Sequence, residues 1–189
     1  PVGNMIIDIG GGTTGITVIA LAGIVCDQSI RIAGDEFTAD IMEALRRYHS
    51  LLIGERTAEQ IKIQVGAAMK DLENTPDDIP DNGRDLVTGI PKQVMVSYQE
   101  VAEALDKSIF KIEEAILKAL ETTPPELASD IYRRGLYITG GGALLRGLDK
   151  RLNAKIKLPV HIADDPLKSV VRGTGIALKH YDRYPFVMR

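Results

Sequence analysis

Tryptophan is absent from the 189 residues, aromatic side chains make up only 5%, and cysteine occurs once, at Cys26. A single cysteine excludes an intramolecular disulfide framework and fits a reducing compartment. No apolar run approaches the roughly 20 residues that span a bilayer as a helix, and no signal-peptide pattern opens the chain. A basic excess is also missing. The 23 Lys and Arg residues against 26 Asp and Glu give a net charge of −3, so nucleic acid is not an expected partner. His49, His161 and His180 are scattered, with no cysteine or carboxylate at zinc-ligand spacing. Neither a G-x-S-x-G elbow nor a G-x-x-x-x-G-K-[ST] loop occurs, and Cys26, inside a strand-like run, reads as a small core residue. What remains is a soluble, cytoplasmic globular protein of one domain or of one domain with an insertion. The chain starts Pro1-Val2-Gly3-Asn4 without a Met, as a processed chain or a piece of a longer one would.

What is present is an ordered succession of apolar patterns. Met5-Ile6-Ile7-Asp8-Ile9 reads as a buried strand that stops at Gly10-Gly11-Gly12. Residues 14–21 and 24–32 form two further β runs around Ala22-Gly23, as in a hairpin. Helices follow. Residues 37–48 carry apolar side chains at helical spacing, and Thr57 with Gln60 matches a capping box at the start of another helix. Residues 74–91 are rich in Pro, Asp and Gly and read as turns with one short hairpin. Ser97 and Glu100 form a second capping box, opening a long helix with Val101, Leu105, Ile109, Ile112, Ile116 and Leu120 on one face. Thr123-Pro124-Pro125-Glu126 starts the next helix, with Pro in its first turn. Leu136-Tyr137-Ile138-Thr139 is a strand ending at Gly140-Gly141-Gly142, with a helix over 143–152 after it. A short strand at 159–162 and a helix from about Asp165 to His180 complete the order.

That order predicts an α/β fold: a mixed five-stranded sheet flanked by helices, of ribonuclease-H-like type. Residues 1–32 and 97–189 form the large part, and residues 33–96 an inserted small α+β subdomain.

The sequence uses one device twice, an apolar strand running into three glycines. Glycine lets backbone N–H groups approach an anion closely, and a phosphate suits such a cradle. Gly10, Gly12 and Gly15 formally match G-x-G-x-x-G, yet a strand follows where a dinucleotide-binding loop needs a helix. The loop is therefore either a phosphate grip at a hairpin tip, with Thr13 and Thr14 adding donors, or a tight turn. Asp8 is either a ligand for hydrated Mg²⁺ or a partly exposed strand end. Gly140 to Gly142 would present N–H groups to a phosphate or ribose. Glu59 and Lys62 share a helix face, either as a solvated i, i+3 ion pair or as contacts to a ribose or adenine edge.

Residues 6–14 resemble the second phosphate motif of the actin, heat-shock chaperone and sugar kinase superfamily, and residues 137–145 resemble its adenosine motif. Within that superfamily, Arg31-Ile32-Ala33-Gly34-Asp35-Glu36-Phe37, Leu52-Ile53-Gly54-Glu55-Arg56-Thr57-Ala58-Glu59, residues 124–131, Asp164-Asp165-Pro166-Leu167 and Val171-Arg172-Gly173-Thr174-Gly175 look like the MreB family of bacterial actins. The resemblance covers nearly the whole chain.

It implies an actin-like fold and an ATP or ADP site with Mg²⁺. Gly10, Gly11, Gly12 and Thr13 would hold phosphates, and Asp8 would order Mg²⁺ or water. Glu59, Gln60, Ile61 and Lys62 would meet ribose and adenine, with Gly140, Gly141, Gly142 and Ala143 flanking the adenosine. It further implies filaments of self-associated copies at the inner face of the cell membrane, with cell-wall elongation membrane proteins as partners. The first phosphate loop, the catalytic Glu and the membrane-inserting element belong to a preceding half outside this chain. Ala33 stands where the family usually has Gly, and Gln60 where it often has Arg. Half of a sugar or acetate kinase, or an actin-like binding module that needs no nucleotide, shares the same core.

Overall fold

The structure is a computed structural model that describes residues 2–20, 23–180, 182 and 184. The apolar run of β1 (Asn4–Ile9) alternates, so Met5, Ile7 and Ile9 are fully buried while Ile6 and Asp8 are half-buried on the other face. β1 pairs antiparallel with β2 (Thr14–Ala20), and β2 antiparallel with β3 (Gly23–Ile30). Leu21, the end of the first run, and Ala22 of the expected Ala22-Gly23 turn lie outside the described residues. On its other edge β1 runs parallel to β7 (Leu136–Thr139), which runs parallel to β8 (Val160–Ile162). The order β3-β2-β1-β7-β8 is the expected mixed five-stranded sheet.

Between β3 and the long helix α3 (Tyr98–Glu121) stand α1 (Gly34–His49), β4 (Leu51–Leu52), α2 (Glu55–Val65), β5 (Ile79–Asp85) and β6 (Pro91–Val96). α3 carries Leu105, Ile109, Ile112 and Ile116, all fully buried, against β2, β3, α1 and α2. At roughly 25 cal/mol per Å² of apolar surface, each such side chain contributes on the order of 1.5–3 kcal/mol of burial. α4 (Pro125–Arg134) lies against β1, where the Gly3 N–H donates to Asp130 Oδ2 at 2.9 Å. α5 (Leu148–Ile156) packs on α3 and β8, and α6 (Ser169–Lys179) closes the order. One apolar core runs from the large sheet through α3 to α1 and α2.

Several local expectations are corrected. Residues 74–96 hold more order than turns and a short hairpin: β5 and β6 pair over six positions and, with β4, make a three-stranded sheet. The pattern is weak because both strands are half-exposed, and Pro80 is accommodated beyond the end of two-residue β4, where its missing N–H breaks no ladder. α2 starts at Glu55 with Gly54 as its N-cap, two residues before the Thr57–Gln60 box, so Thr57 sits inside the first turn and makes no cap. The packing of Ala58, Ile61 and Val65 sets that register. The Ser97–Glu100 box is formed, with both reciprocal hydrogen bonds. α4 has Pro124 as its N-cap, while the Thr123 hydroxyl donates back to Ala119 O at 2.7 Å. α6 begins at Ser169, four residues after Asp165. The expected helix over 143–152 is a single 3₁₀ turn, Gly141–Leu144, then a kink at Gly147, then α5. Apart from Asp182 and Tyr184, residues 181–189 lie outside the described residues.

Candidate functional site

β1 and β7 lie side by side and parallel, so their C-terminal ends open at the same sheet edge. Ligands in α/β folds bind beyond such ends. There the two glycine loops meet. Asp8 is paired with Thr139, one residue before Gly140. Gly140 has φ +81°, and a Cβ on it would collide with the Ile9 carbonyl oxygen and stand 2.5 Å from Asp8 Oδ1. A Cβ on Gly142 would collide with the Ile9 side chain. Glycine at these two positions is what lets the loops approach. The Pro166 carbonyl accepts from both the Gly140 N–H (3.0 Å) and the Thr139 hydroxyl (3.1 Å), which sets Leu167 over Gly141.

The first loop is pinned differently. Gly10 N–H donates to Thr13 O at 3.0 Å, closing the tight turn between β1 and β2. Gly34 N–H then donates to Gly10 O (3.0 Å), and Asp35 N–H to Gly11 O (2.8 Å), so the first turn of α1 is moored to the loop. The N–H groups of Gly11, Gly12, Gly141 and Gly142 have no acceptor among the described residues.

Between these loops, α1 and α2 lies a cleft of about 620 Å³, within the roughly 300–1,000 Å³ typical of small-molecule sites. Gly10 and Gly11 line one side, Gly141, Gly142, Leu144, Leu145 and Leu167 another, and Gly34, Asp35, Phe37, Glu59, Lys62 and Ile63 the third. Glu59 and Lys62 form an ion pair at 2.6 Å. Lys62 Nζ also donates to Gly34 O (2.7 Å) and Thr38 Oγ1 (3.0 Å), so all three of its protons have acceptors. Burial alone would raise the Glu59 carboxyl, but hydrogen bonds from Lys62 and Thr38 outweigh it and hold the group below its ordinary value. The one lysine in the lining is therefore committed within the protein, and the free donors in the cleft are backbone N–H groups.

Of the residues singled out in the sequence, Gly10, Gly11, Glu59, Lys62, Gly141 and Gly142 line this cleft together. Gly12 and Thr13 are exposed at the adjoining hairpin tip, and Asp8 is half-buried below it beside Gly140. Ala143 is fully buried beneath the 3₁₀ turn. Gln60 is exposed away from the lining, and Ile61 is fully buried in the core. Ile63, 67% exposed, and Leu167, 68% exposed, line the cleft without having been singled out. Ile63 carried a readable signal: it is an apolar residue on α2 away from the Ala58, Ile61 and Val65 face.

A profile of the MreB/Mbl protein family matches residues 1–185. The chain belongs to the MreB/Mbl family. It is 48% identical over 185 residues to the cell shape-determining protein Mbl of Bacillus subtilis, covering 98% of this chain and 55% of that protein. To the cell shape-determining protein MreB of Escherichia coli it is 46% identical over 182 residues, covering 96% of this chain and 52% of that one. The chain thus spans about half the length of the curated relatives it matches. Among solved structures, MreB5 of Spiroplasma citri bound to ADP superposes with a TM-score of 0.92 at 40% identity, over 98% of this chain and 55% of that one. A MamK double helical filament superposes with a TM-score of 0.69 at 26% identity, over 87% and 50%. With the mixed sheet described above, these place the chain in the actin-like α/β fold.

Proposed function

We propose that this chain is one wall of the nucleotide cleft of an MreB-type cell shape-determining filament protein, and that it binds ATP and ADP there. The observation that carries this is the opposition, across one cleft, of two glycine loops with unpartnered N–H groups and the Glu59–Lys62 pair. Such N–H groups suit phosphate oxygens. They also leave the Glu59–Lys62 end of the cleft for the polar edge of a ribose or base. The MreB5 structures bound to ADP and AMPPNP, with TM-scores of 0.92, support the same placement of a nucleotide.

Mg²⁺ would enter with the nucleotide. Among the described residues no group of three or more His, Cys, Asp or Glu side chains could hold a metal. Mg²⁺ beside phosphates sits on one or two carboxylates and keeps several waters. Asp8, at the end of β1, is the carboxylate that would order one of those waters. When bound, Mg²⁺ would neutralise charge on the phosphate oxygens.

The remaining half of the cleft would come from the part of the fold that this chain does not span. Residues 33–96 would serve as the small subdomain at a filament interface, and copies would assemble end to end. MamK, at a TM-score of 0.69, is seen as a double helical filament. Wall-elongation membrane proteins at the inner membrane face would be the further partners. No helix of the described residues is long and apolar enough to cross a membrane.

The test is a titration of fluorescent ADP into the chain and into Gly141→Val. A Cβ at Gly141 meets only the tip of Leu167, at 3.5 Å, so this variant should fold while its side chain obstructs the cleft. Saturable binding lost in the variant supports the reading. Equal binding by both, or none by the unaltered chain at millimolar nucleotide, sinks it.

A further inference from the structure

We infer that Thr38 is a positioning residue of this cleft, its hydroxyl locking the Lys62 ammonium to the Glu59 carboxylate so that one carboxylate oxygen stays free for a ligand hydroxyl. The inference rests on the nucleotide reading and goes beyond it to a residue outside the cleft lining. Thr38 lies one turn into α1 and is 8% exposed. Nothing about its spacing marked it in the sequence.

A lysine ammonium has three protons, and Lys62 spends them on Gly34 O at 2.7 Å, Thr38 Oγ1 at 3.0 Å and Glu59 Oε2 at 2.6 Å. The Thr38 hydroxyl accepts from Lys62 and has one proton of its own. Two acceptors lie within reach of that proton, Gly34 O at 3.0 Å and Glu59 Oε2 at 2.9 Å. Gly34 O already takes a Lys62 proton, and an ionised carboxylate is the stronger acceptor. The proton therefore goes to Glu59, closing a ring of three donors and acceptors: Lys62 to Thr38, Thr38 to Glu59, Lys62 to Glu59.

Two consequences follow for the cleft. Glu59 Oε2 is fully engaged, whereas Oε1 has no hydrogen-bond partner among the described residues. And Glu59, whose side chain is 47% exposed, is held at its head group from two directions. A long carboxylate side chain tied only by lysine regains rotamer freedom, which a ligand would have to remove on binding. The same ring accounts for the depressed Glu59 carboxyl.

Thr38→Val keeps the side-chain shape and deletes the hydroxyl, and Thr38→Ser restores it. The full chain is used, with two readouts: the Glu59 carboxyl titrated by NMR, and affinity for ADP and for 2′,3′-dideoxy-ADP. Thr38→Val should move the Glu59 midpoint upward and weaken ADP about three- to tenfold, the range of one ordinary hydrogen bond's net contribution. Dideoxy-ADP, lacking the hydroxyls that Glu59 would receive, should bind the unaltered chain and Thr38→Val alike. Thr38→Ser should behave as the unaltered chain within about twofold for both ligands. An unmoved Glu59 midpoint in Thr38→Val overturns the inference, as does an equal loss for both ligands. If no variant binds ADP while the Glu59 midpoint moves, the nucleotide reading and the ligand half of the inference fall together, and the Thr38–Glu59–Lys62 coupling stands.

Discussion

Gly140 and Ile9 meet backbone to backbone at the edge where β1 and β7 end. Gly140 has φ +81°, and no side chain fits between it and the Ile9 carbonyl. This contact sets the separation of the two glycine loops, and the glycines around it divide into two kinds. Gly140→Ala combines a conformation reserved for glycine, costing of the order of 1–3 kcal/mol, with a collision against rigid backbone. It should lower the free energy of urea unfolding by at least that much. Gly12→Ala meets only Asp35 Oδ2, at 3.7 Å, and should leave unfolding within about 0.5 kcal/mol. Equal stability of the two variants would refute the division.

The same two loops show how far the sequence carries. The two strands and their triple glycines were readable because a short apolar run and a glycine stop are local signals, whereas the parallel pairing of β1 with β7 is a tertiary fact. The Ser97–Glu100 cap was readable too, as it needs only four residues. The register of α2 was not, since the Thr57–Gln60 pair makes an equally good local cap and only burial of Ala58, Ile61 and Val65 decides against it. Gly34, Asp35 and Leu167 reach the cleft through turns whose anchors are tertiary: Gly10 O and Gly11 O for α1, and Pro166 O for the loop before α6. The Thr38 hydroxyl is invisible for the same reason, as its partners lie on another helix.

Arg151 joins α5 to α3 through unequal partners. Its Nε donates to Glu113 Oε1 at 2.6 Å, and Glu113 is only 3% exposed. It also bonds Ala68 O at 2.9 Å and the exposed Asp106 at 2.8 Å. Arg151→Ala leaves a buried carboxylate unpaired and should cost about 3–5 kcal/mol. Asp106→Ala removes a surface partner and should cost under about 1 kcal/mol. Denaturant midpoints of the two variants measure the contrast, and a loss for Asp106→Ala matching that for Arg151→Ala would contradict it.

Glu100 gives the fold an acid sensitivity. Burial pushes its carboxyl upward, but the Ser97 backbone N–H and the His49 ring outweigh this and hold it below its ordinary value of 4.5. A carboxyl depressed on folding stabilises the native state above its unfolded value, and that stabilisation is lost as pH falls through the folded value. The unaltered chain should therefore lose stability as pH drops from about 4.5 downward. Glu100→Gln should be less stable at pH 7 and show a shallower decline over that window. Thermal melts at pH 7, 5, 4 and 3 test this, and parallel pH curves would exclude Glu100 as a contributor.

Turnover should be slight. Hydrolysis needs a positioned base to activate water as well as donors for the phosphates. The carboxylates lining the cleft are Asp35, exposed on the first turn of α1, and Glu59, already bound to Lys62 and Thr38. Phosphate release from ATP and Mg²⁺ by the purified chain should not exceed the buffer rate by more than about tenfold, well below the usual 1–10³ s⁻¹ of enzymes. Rapid turnover that Glu59→Gln abolishes would assign to this chain the base that the proposal leaves to the other half.

α6 is the place where the fold asks for something more. None of its residues is buried, although Val170, Val171, Ile176 and Leu178 are 61%, 72%, 52% and 62% exposed. Val171 and Leu178, seven residues apart, lie on one helix face, and the helix follows Leu167 directly out of the cleft. An exposed apolar helix face of this kind suits a contact surface, and on the reading above the part of the family fold that this chain does not span would cover it. Val171→Asp and Leu178→Lys should then change the stability of the chain by no more than about 0.5 kcal/mol. They should weaken its association with the co-expressed remaining half at least tenfold, the loss of about 1.4 kcal/mol. Unfolding by either change would mean that the face is already covered within the chain, and unaltered association would place the contact elsewhere.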